Sequence, residues 1–287
     1  MEKIETIKIE DKEYPEILKK IKDPPKVLYV RGEIPKEPCF AIVGTRKCSA
    51  YGKQIALEIA GDLAKAGLVI VSGMARGIDT FAHKGALERN GKTIAVLGTG
   101  LDEKSIYPKE NLKLAREILK NGGCLISEYP SGTPGYPSNF PARNRIISGL
   151  SLGVLVIEAK MKSGALITAN WARAQKRKLF AVPGSIYSLN SKGPHFLIKR
   201  GAILIENADD ILKELNLPRP KIPKKQNKGE TPEENLILDI LREKPLHIEK
   251  IIEKTNLPAK KILSILAIME IKGQVRNLGG NIYGLRR

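Results

Sequence analysis

A chain of 287 residues with 42% hydrophobic residues is long enough for one large domain and a small one, and is ordinary in composition for a globular protein. Its longest apolar runs, GLVIVSG and GVLVIEA, are far too short to span a bilayer, and the opening MEKIETIKIEDKEYPE lacks the apolar core of a secretion signal. The net charge of +18 favours a polyanionic partner; residues 1–40 are balanced, whereas residues 41–216 carry 25 basic against 14 acidic groups.

In chain order, residues 1–38 read as a strand–helix–strand lead-in (ETIKIE, YPEILKKI, KVLYVRGE) packed on the larger domain. From residue 39 the chain alternates. CFAIVG precedes a helical stretch, YGKQIALEIAGDLAKAG, and LVIVSG precedes GIDTFAHKGALERNG. TIAVLG leads to KENLKLAREILKNGG, and CLISEY to ARNRIISGLS. GVLVIEA leads to ALITANWARAQKR. LFAVPG, HFLIKRG, AILI and ADDILKEL complete the domain at residue 216. The strand segments are apolar without alternation, as in strands covered on both faces, and strand–helix repetition at this spacing predicts a doubly wound α/β domain with a mostly parallel sheet. Residues 217–230, rich in Pro and Lys with no apolar period, read as a linker. Residues 231–287 hold three helical patterns, PEENLILDILREK, HIEKIIEKTN and PAKKILSILAIMEIKG. They end in QVRNLGGNIYGLRR, whose Gly279-Gly280 suits a hairpin turn. Three helices and a hairpin predict a winged helix, its last helix either reading a DNA groove or serving a protein contact.

In an open parallel sheet, ligands bind outside the carboxyl ends of the strands. The residues placed there are Gly44 to Lys47, Ser72 to Asp79, Gly98 to Gly100, Phe140 to Arg145, then Lys160, Lys162, Ser163 and Gly164, and finally Pro183 to Ser185. Glycines allow close backbone approach, and helix N-termini attract anions. Arg46, Lys47, Arg143 and Arg145 are predicted near such N-termini, where cations are disfavoured by about 0.3 kcal/mol or more each. Either an anion completes the site or each cation pairs with a carboxylate such as Asp79 or Glu158. Phe140 beside Arg143 offers a stacking face next to a phosphate partner, or is a core residue. Asn144 reads a base edge, binds backbone or caps the helix.

Catalytic signals are weak. No Walker A sequence occurs, and Gly98-x-Gly100 lacks the third glycine of a dinucleotide fingerprint. His83, His195 and His247 lack metal-ligand spacing. Cys39, Cys48 and Cys124 lack paired spacing and read as reduced thiols. Ser72 and Ser185 have no nucleophile-elbow context. Asp79 and Glu158 form the one candidate acid/base pair, with bracing of the glycine loop the competing role for Asp79. No catalytic residue, metal or cofactor is therefore expected.

Taken together, AIVGTR (41–46), SGMARGID (72–79), FPARNRIISGLS (140–151), VIEAKMKSGALITA (156–169) and AVPGS (181–185) resemble the DprA (Smf) family of DNA-processing proteins. YPEILKKIKDPPKVLYVRG (14–32) and GPHFLIKRGAILI (193–205) match as well, so the resemblance spans residues 14–215. It implies an extended Rossmann-like fold without a bound dinucleotide, in a cytoplasmic protein with no membrane partner. It also implies non-sequence-specific binding of single-stranded DNA in a basic pocket at the strand ends. Family members dimerise, protect incoming single strands and load the RecA recombinase onto them during natural transformation. Carried over by motif, Arg46, with Lys47 beside it, would bind phosphate. Phe140, Arg143, Asn144 and Arg145 would form the rest of the strand-binding wall. Ser72, Gly73 and Gly77 would shape the floor, and Ser163, Gly164 and Thr168 the other side. Many relatives carry a basic residue where this chain has Pro137, so one phosphate contact is either missing here or replaced by Arg76 or Lys162. Many also carry a helical domain before the YP motif, where this chain nearly begins. Two other readings compete. Related Rossmann-like enzymes cleave nucleoside monophosphates through a PGGxGT loop, but the corresponding residues here are KSGALIT. A double-stranded DNA-binding regulator would act through the winged helix.

Overall fold

The apolar runs assemble into one nine-stranded sheet in the first of two compact units, Met1–Pro220 and Lys221–Arg287, in a computed structural model that describes residues 3–218 and 229–285. Most of the stretch expected as a linker, residues 219–228, lies outside the described residues. The strands of the first unit are β1 (Ile4–Lys8), β2 (Val27–Gly32), β3 (Cys39–Val43), β4 (Val69–Ser72), β5 (Thr93–Leu97), β6 (Cys124–Ser127), β7 (Gly153–Val156), β8 (Lys178–Ala181) and β9 (Ile203–Leu204). Its helices are α1 (Glu16–Lys19), α2 (Ala50–Lys65), α3 (Ile78–Leu87), α4 (Leu112–Lys120), α5 (Asn139–Gly149), α6 (Gly164–Ala174), α7 (Lys192–Ile198) and α8 (Ala208–Glu214).

The sheet order is β1-β2-β6-β5-β4-β3-β7-β8-β9. From β6 to β9 every pairing is parallel, and β2 pairs antiparallel with both β6 and β1. The unit is thus a doubly wound, mostly parallel α/β domain. The lead-in does more than pack against it: its two strands extend the same sheet. Side-chain alternation divides the core into two layers. Ala41, Val43, Val69, Val71, Ile94 and Val96 face α1, α5, α6 and α7. Phe40, Ile42 and Ile70 face α2, α3 and α8, while Ala95, Leu97 and Leu125 continue that side under α4. Each fully buried Val, Ile or Leu contributes about 1.5–3 kcal/mol, so strands buried on both faces anchor the fold.

The chain steps from β3 outward to β6, then returns to lay β7 on the other side of β3. That reversal leaves a crevice at the carboxyl ends of β3 and β7. The pairing runs up to its edge, with the Ile157 N–H donating to the Val43 carbonyl (3.2 Å) and the Thr45 N–H to the Glu158 carbonyl (2.7 Å).

The second unit contains α9 (Pro232–Glu243), α10 (Ile248–Thr255) and α11 (Ala259–Ile271), with β10 (Leu246–His247), β11 (Val275–Asn277) and β12 (Ile282–Leu285) in the order β10-β12-β11. Thr231 caps α9 by accepting the Glu234 N–H (3.2 Å), and Ile237, Leu241, Ile251, Ile262, Leu266 and Met269 fill the core. The hairpin closes through three successive residues with positive φ, Gly279, Gly280 and Asn281, which explains the glycine pair. This is the winged-helix arrangement expected from the three helical patterns and the terminal hairpin. Among the described residues no helix is long and apolar enough to cross a membrane.

Candidate functional site

A cleft of about 690 Å³ opens at the crevice between β3 and β7. The β3–α2 loop supplies Thr45, Arg46 and Lys47, and α5 supplies Phe140, Arg143 and Asn144. The β7–α6 loop adds Lys160, Lys162 and Ser163, and α6 adds Gly164 and Thr168. A recess of about 50 Å³ adjoins it, lined by Arg46, Gly73, Arg76, Tyr107, Phe140 and Arg143.

Glycine makes the crossing of these loops possible. Gly77, at φ +75°, passes so close to the β3–α2 loop that a Cβ would strike the Thr45 carbonyl and the Arg46 backbone. A Cβ on Gly73 would lie 2.7 Å from the Arg143 guanidinium and 2.8 Å from the Asp79 carboxylate.

Those two charged groups form the floor. Arg143 is only 5% exposed and donates to the Gly73 carbonyl (2.9 Å), to the Val96 carbonyl and to the Asn144 side chain (3.2 Å). Asp79, buried in the first turn of α3, accepts the N–H groups of Gly73 (3.1 Å) and Ala75 (3.4 Å). Burial pushes the Asp79 carboxyl up to about 6, against the opposing pull of Arg143, and burial draws Arg143 down to about 10. Glu158 is equally committed. It accepts from the Ser49 N–H (2.9 Å) and Oγ (2.6 Å) at the N-terminus of α2, where its charge suits the helix dipole. The candidate acid/base pair therefore resolves into two braces, one under the glycine loop and one at a helix cap.

The walls differ in character from the floor. Among the described residues no ion pair engages Arg46, Lys47, Lys160 or Lys162. Phe140 is half-buried, its ring 5.7 Å from that of Tyr107 at 51°, and the Arg46 guanidinium carbon sits 5.9 Å from its centroid. Gly98 and Gly135 make room for it; a Cβ there would lie 3.0 and 3.2 Å from the ring. Asn144 donates to the Gly164 carbonyl (3.2 Å), tying α5 to the start of α6, and Ser163 caps α6 by accepting the Ala165 N–H (3.2 Å). Thr168 lies buried on the adjoining turn.

The structure brings Arg46, Lys47, Phe140, Arg143, Asn144, Lys162, Ser163, Gly164 and Thr168 together around the cleft, with Gly73 and Arg76 at the recess. Arg76 also pairs with Glu110 at the surface. Two expected residues stand elsewhere. Ser72 is fully buried and donates to the Ile42 carbonyl (2.6 Å), clamping β4 to β3. Arg145 does not line the cleft; it is 6% exposed and forms a two-pronged pair with Glu128 (2.6 and 2.8 Å) and a further one with Asp23 (3.0 Å). The reason is helical phase. α5 begins at Asn139, so Phe140 to Arg145 are helical and not a loop, and residues two apart on a helix point to opposite sides. Pro141 fits because the first helical turn needs no N–H donor there. Tyr107 and Lys160 also line the cleft. Tyr107 was not singled out from the sequence, although an aromatic before proline in a loop after a parallel strand was a usable signal.

Comparison with known proteins places these features in context. A family model described as DNA recombination-mediator protein A matches residues 5–216, and one described as the DprA winged helix domain matches residues 221–281. Protein Smf of Escherichia coli is 39% identical over 284 residues, covering 96% of this chain and 75% of that one. DNA processing protein DprA of Bacillus subtilis is 46% identical over 215 residues, covering 74% and 71%. The X-ray structure of DprA from Streptococcus pneumoniae aligns with a TM-score of 0.69 at 45% identity, covering 74% of each chain. DNA processing protein A from Helicobacter pylori, whose structure bears on its single-stranded DNA binding mode, aligns at 0.66 and 34% identity over 75% and 98% of the two chains.

Proposed function

The chain belongs to the DNA recombination-mediator protein A family, and we propose that it binds single-stranded DNA, without sequence specificity, in the cleft between β3 and β7. The observation that carries this reading is the set of four cations, Arg46, Lys47, Lys160 and Lys162, that form no ion pair among the described residues and line one cleft with the Phe140–Tyr107 ring pair. Cations without carboxylate partners suit phosphates, and a tilted aromatic pair suits bases, which offer their faces only when unpaired. Arg143, Asp79 and Gly73 hold the floor, while Asn144, Ser163, Gly164 and Thr168 shape the facing wall.

The recombination-mediator description of the family supports a finer reading. In it the protein acts in the cytoplasm as a homodimer, protects single strands taken up during transformation and passes them to the RecA recombinase. On the second unit, α11 turns Leu263, Ile268 and Ile271 to solvent, a surface better suited to a protein contact than to reading polar base edges. Fluorescence anisotropy with a labelled single strand and the matching duplex tests the proposal. Tighter binding of the single strand, weakened by salt, is expected; preference for the duplex would refute it. RecA filament growth on protein-coated single strands, with and without this chain, tests the finer reading.

A further inference from the structure

We propose that Tyr187, on the loop between β8 and α7, is a second base-stacking platform that extends the strand path beyond the cleft; this rests on the single-strand reading above. Tyr187 is 90% exposed, and Ile186 and Leu189 beside it are 65% and 64% exposed. An aromatic ring offered this fully to water on an ordered loop is unusual, because its apolar area gains from being covered.

The loop is held in place by its own bonds. The Tyr187 N–H donates to Ser185 Oγ (3.3 Å), the Ser188 N–H to the Ser185 carbonyl (3.1 Å), and the Asn190 N–H to Ser188 Oγ (3.2 Å). It is also fastened to both walls of the cleft. Asn190 donates its side-chain amide to the Lys47 carbonyl (3.2 Å), and its own carbonyl accepts the Ala159 N–H (2.7 Å) next to Lys160. The Tyr51 hydroxyl, from the first turn of α2, donates to the Pro183 carbonyl (2.9 Å). The platform is therefore preorganised beside two residues that line the cleft. Lys47, which lines the cleft and whose carbonyl Asn190 bonds, and Lys192, exposed five residues after Tyr187, would supply phosphate partners along the way. An exposed ring on a loop whose backbone is held by hydrogen bonds and tied to the cleft through Asn190 is an arrangement that stacks bases without regard to identity. A strand leaving the cleft over Lys47 would lay its next base on Tyr187.

The test is fluorescence anisotropy with oligothymidylates of about 6 and about 20 nucleotides, short and long relative to typical single-strand sites. It uses the full chain as wild type, Arg46→Ala, Tyr187→Ala and Tyr187→Phe, with oligomeric state followed by light scattering. Tyr187→Ala is expected to weaken binding of the longer strand at least about fivefold, the equivalent of one lost stacking contact, and to leave the shorter one unchanged. Tyr187→Phe keeps the ring and should bind as wild type, and Arg46→Ala should lose affinity for both lengths. Wild-type affinity of Tyr187→Ala for the longer strand would overturn the platform while leaving the cleft intact. So would a loss of affinity accompanied by dissociation into smaller oligomers, because the ring would then cover a second copy and not a base. Failure of the wild type to bind either strand would overturn the single-strand reading, and the platform with it.

Discussion

Arg143→Met keeps much of the length and the apolar stem of the side chain while deleting the buried guanidinium. The substitution strips charged hydrogen bonds from the Gly73 carbonyl (2.9 Å) and the Val96 carbonyl, each worth about 1.5–3 kcal/mol. It also removes the cation that opposes the cost of burying Asp79. Part of the loss is recovered when Asp79 takes up a proton, so the net destabilisation is expected at about 3–5 kcal/mol. The single tryptophan, Trp171 on α6, reports unfolding of the first unit by fluorescence in a denaturant titration. Arg143→Met should shift the midpoint down with an unchanged slope, and adding Asp79→Asn should restore at least about 1 kcal/mol, because the two charges are coupled across Gly73. A variant with the wild-type midpoint and more than about tenfold weaker strand binding would refute the reasoning. It would make Arg143 a direct DNA ligand and not the floor beneath one.

Phe140→Ala should weaken single-strand binding by roughly 1–3 kcal/mol through loss of stacking, read by anisotropy; a lower melting temperature at unchanged affinity would make the ring a packing element only. Asp79 has a folded value near 6, raised by burial from 3.8, so the stability this group contributes is present below about 3.8 and lost as pH rises through about 6. In the cleft the same titration removes a negative charge from the floor, so strand affinity should rise as pH falls through about 6, and Asp79→Asn should abolish that rise. His83, fully buried and hydrogen-bonded to Thr93 (2.7 Å), is pushed down to about 3 by burial, with the Arg143 charge adding to the effect. Its contribution is present above about 6.5 and lost as pH falls toward 3, because only the unfolded chain takes up the proton in that window. On going from pH 7 to pH 5 the denaturant midpoint should therefore fall in wild type relative to His83→Gln, and parallel pH dependences in the two proteins would contradict the buried neutral imidazole.

The parallel strands were readable because VIVS and TIAVL run apolar without alternation apart from Ser72 and Thr93 at their ends, the pattern of strands buried on both faces. The cleft cations Arg46, Lys47 and Lys162 were readable because they directly follow strand signals. The start of α5 was not, since Asn-Phe-Pro looks like a loop until Pro141 is recognised as a first-turn residue. Without that start the helical phase is unknown, and the phase separates Arg143 in the cleft from Arg145 on Glu128. Glu128 itself lies just past β6, and its approach to α5 depends on tertiary packing that spacing alone does not reveal. Tyr107 escaped for the same reason: the loop between β5 and α4 must fold back across the strand ends before its ring meets Phe140.

The most direct test is the salt dependence of single-strand affinity in wild type and Arg46→Ala. The cleft predicts steep salt-sensitive binding in wild type, a loss of more than about tenfold in the variant, and a slope smaller by about one released counterion, all at an unchanged melting temperature. Equal affinity and equal slope in the two proteins would place the DNA elsewhere and contradict the cleft between β3 and β7 as its site.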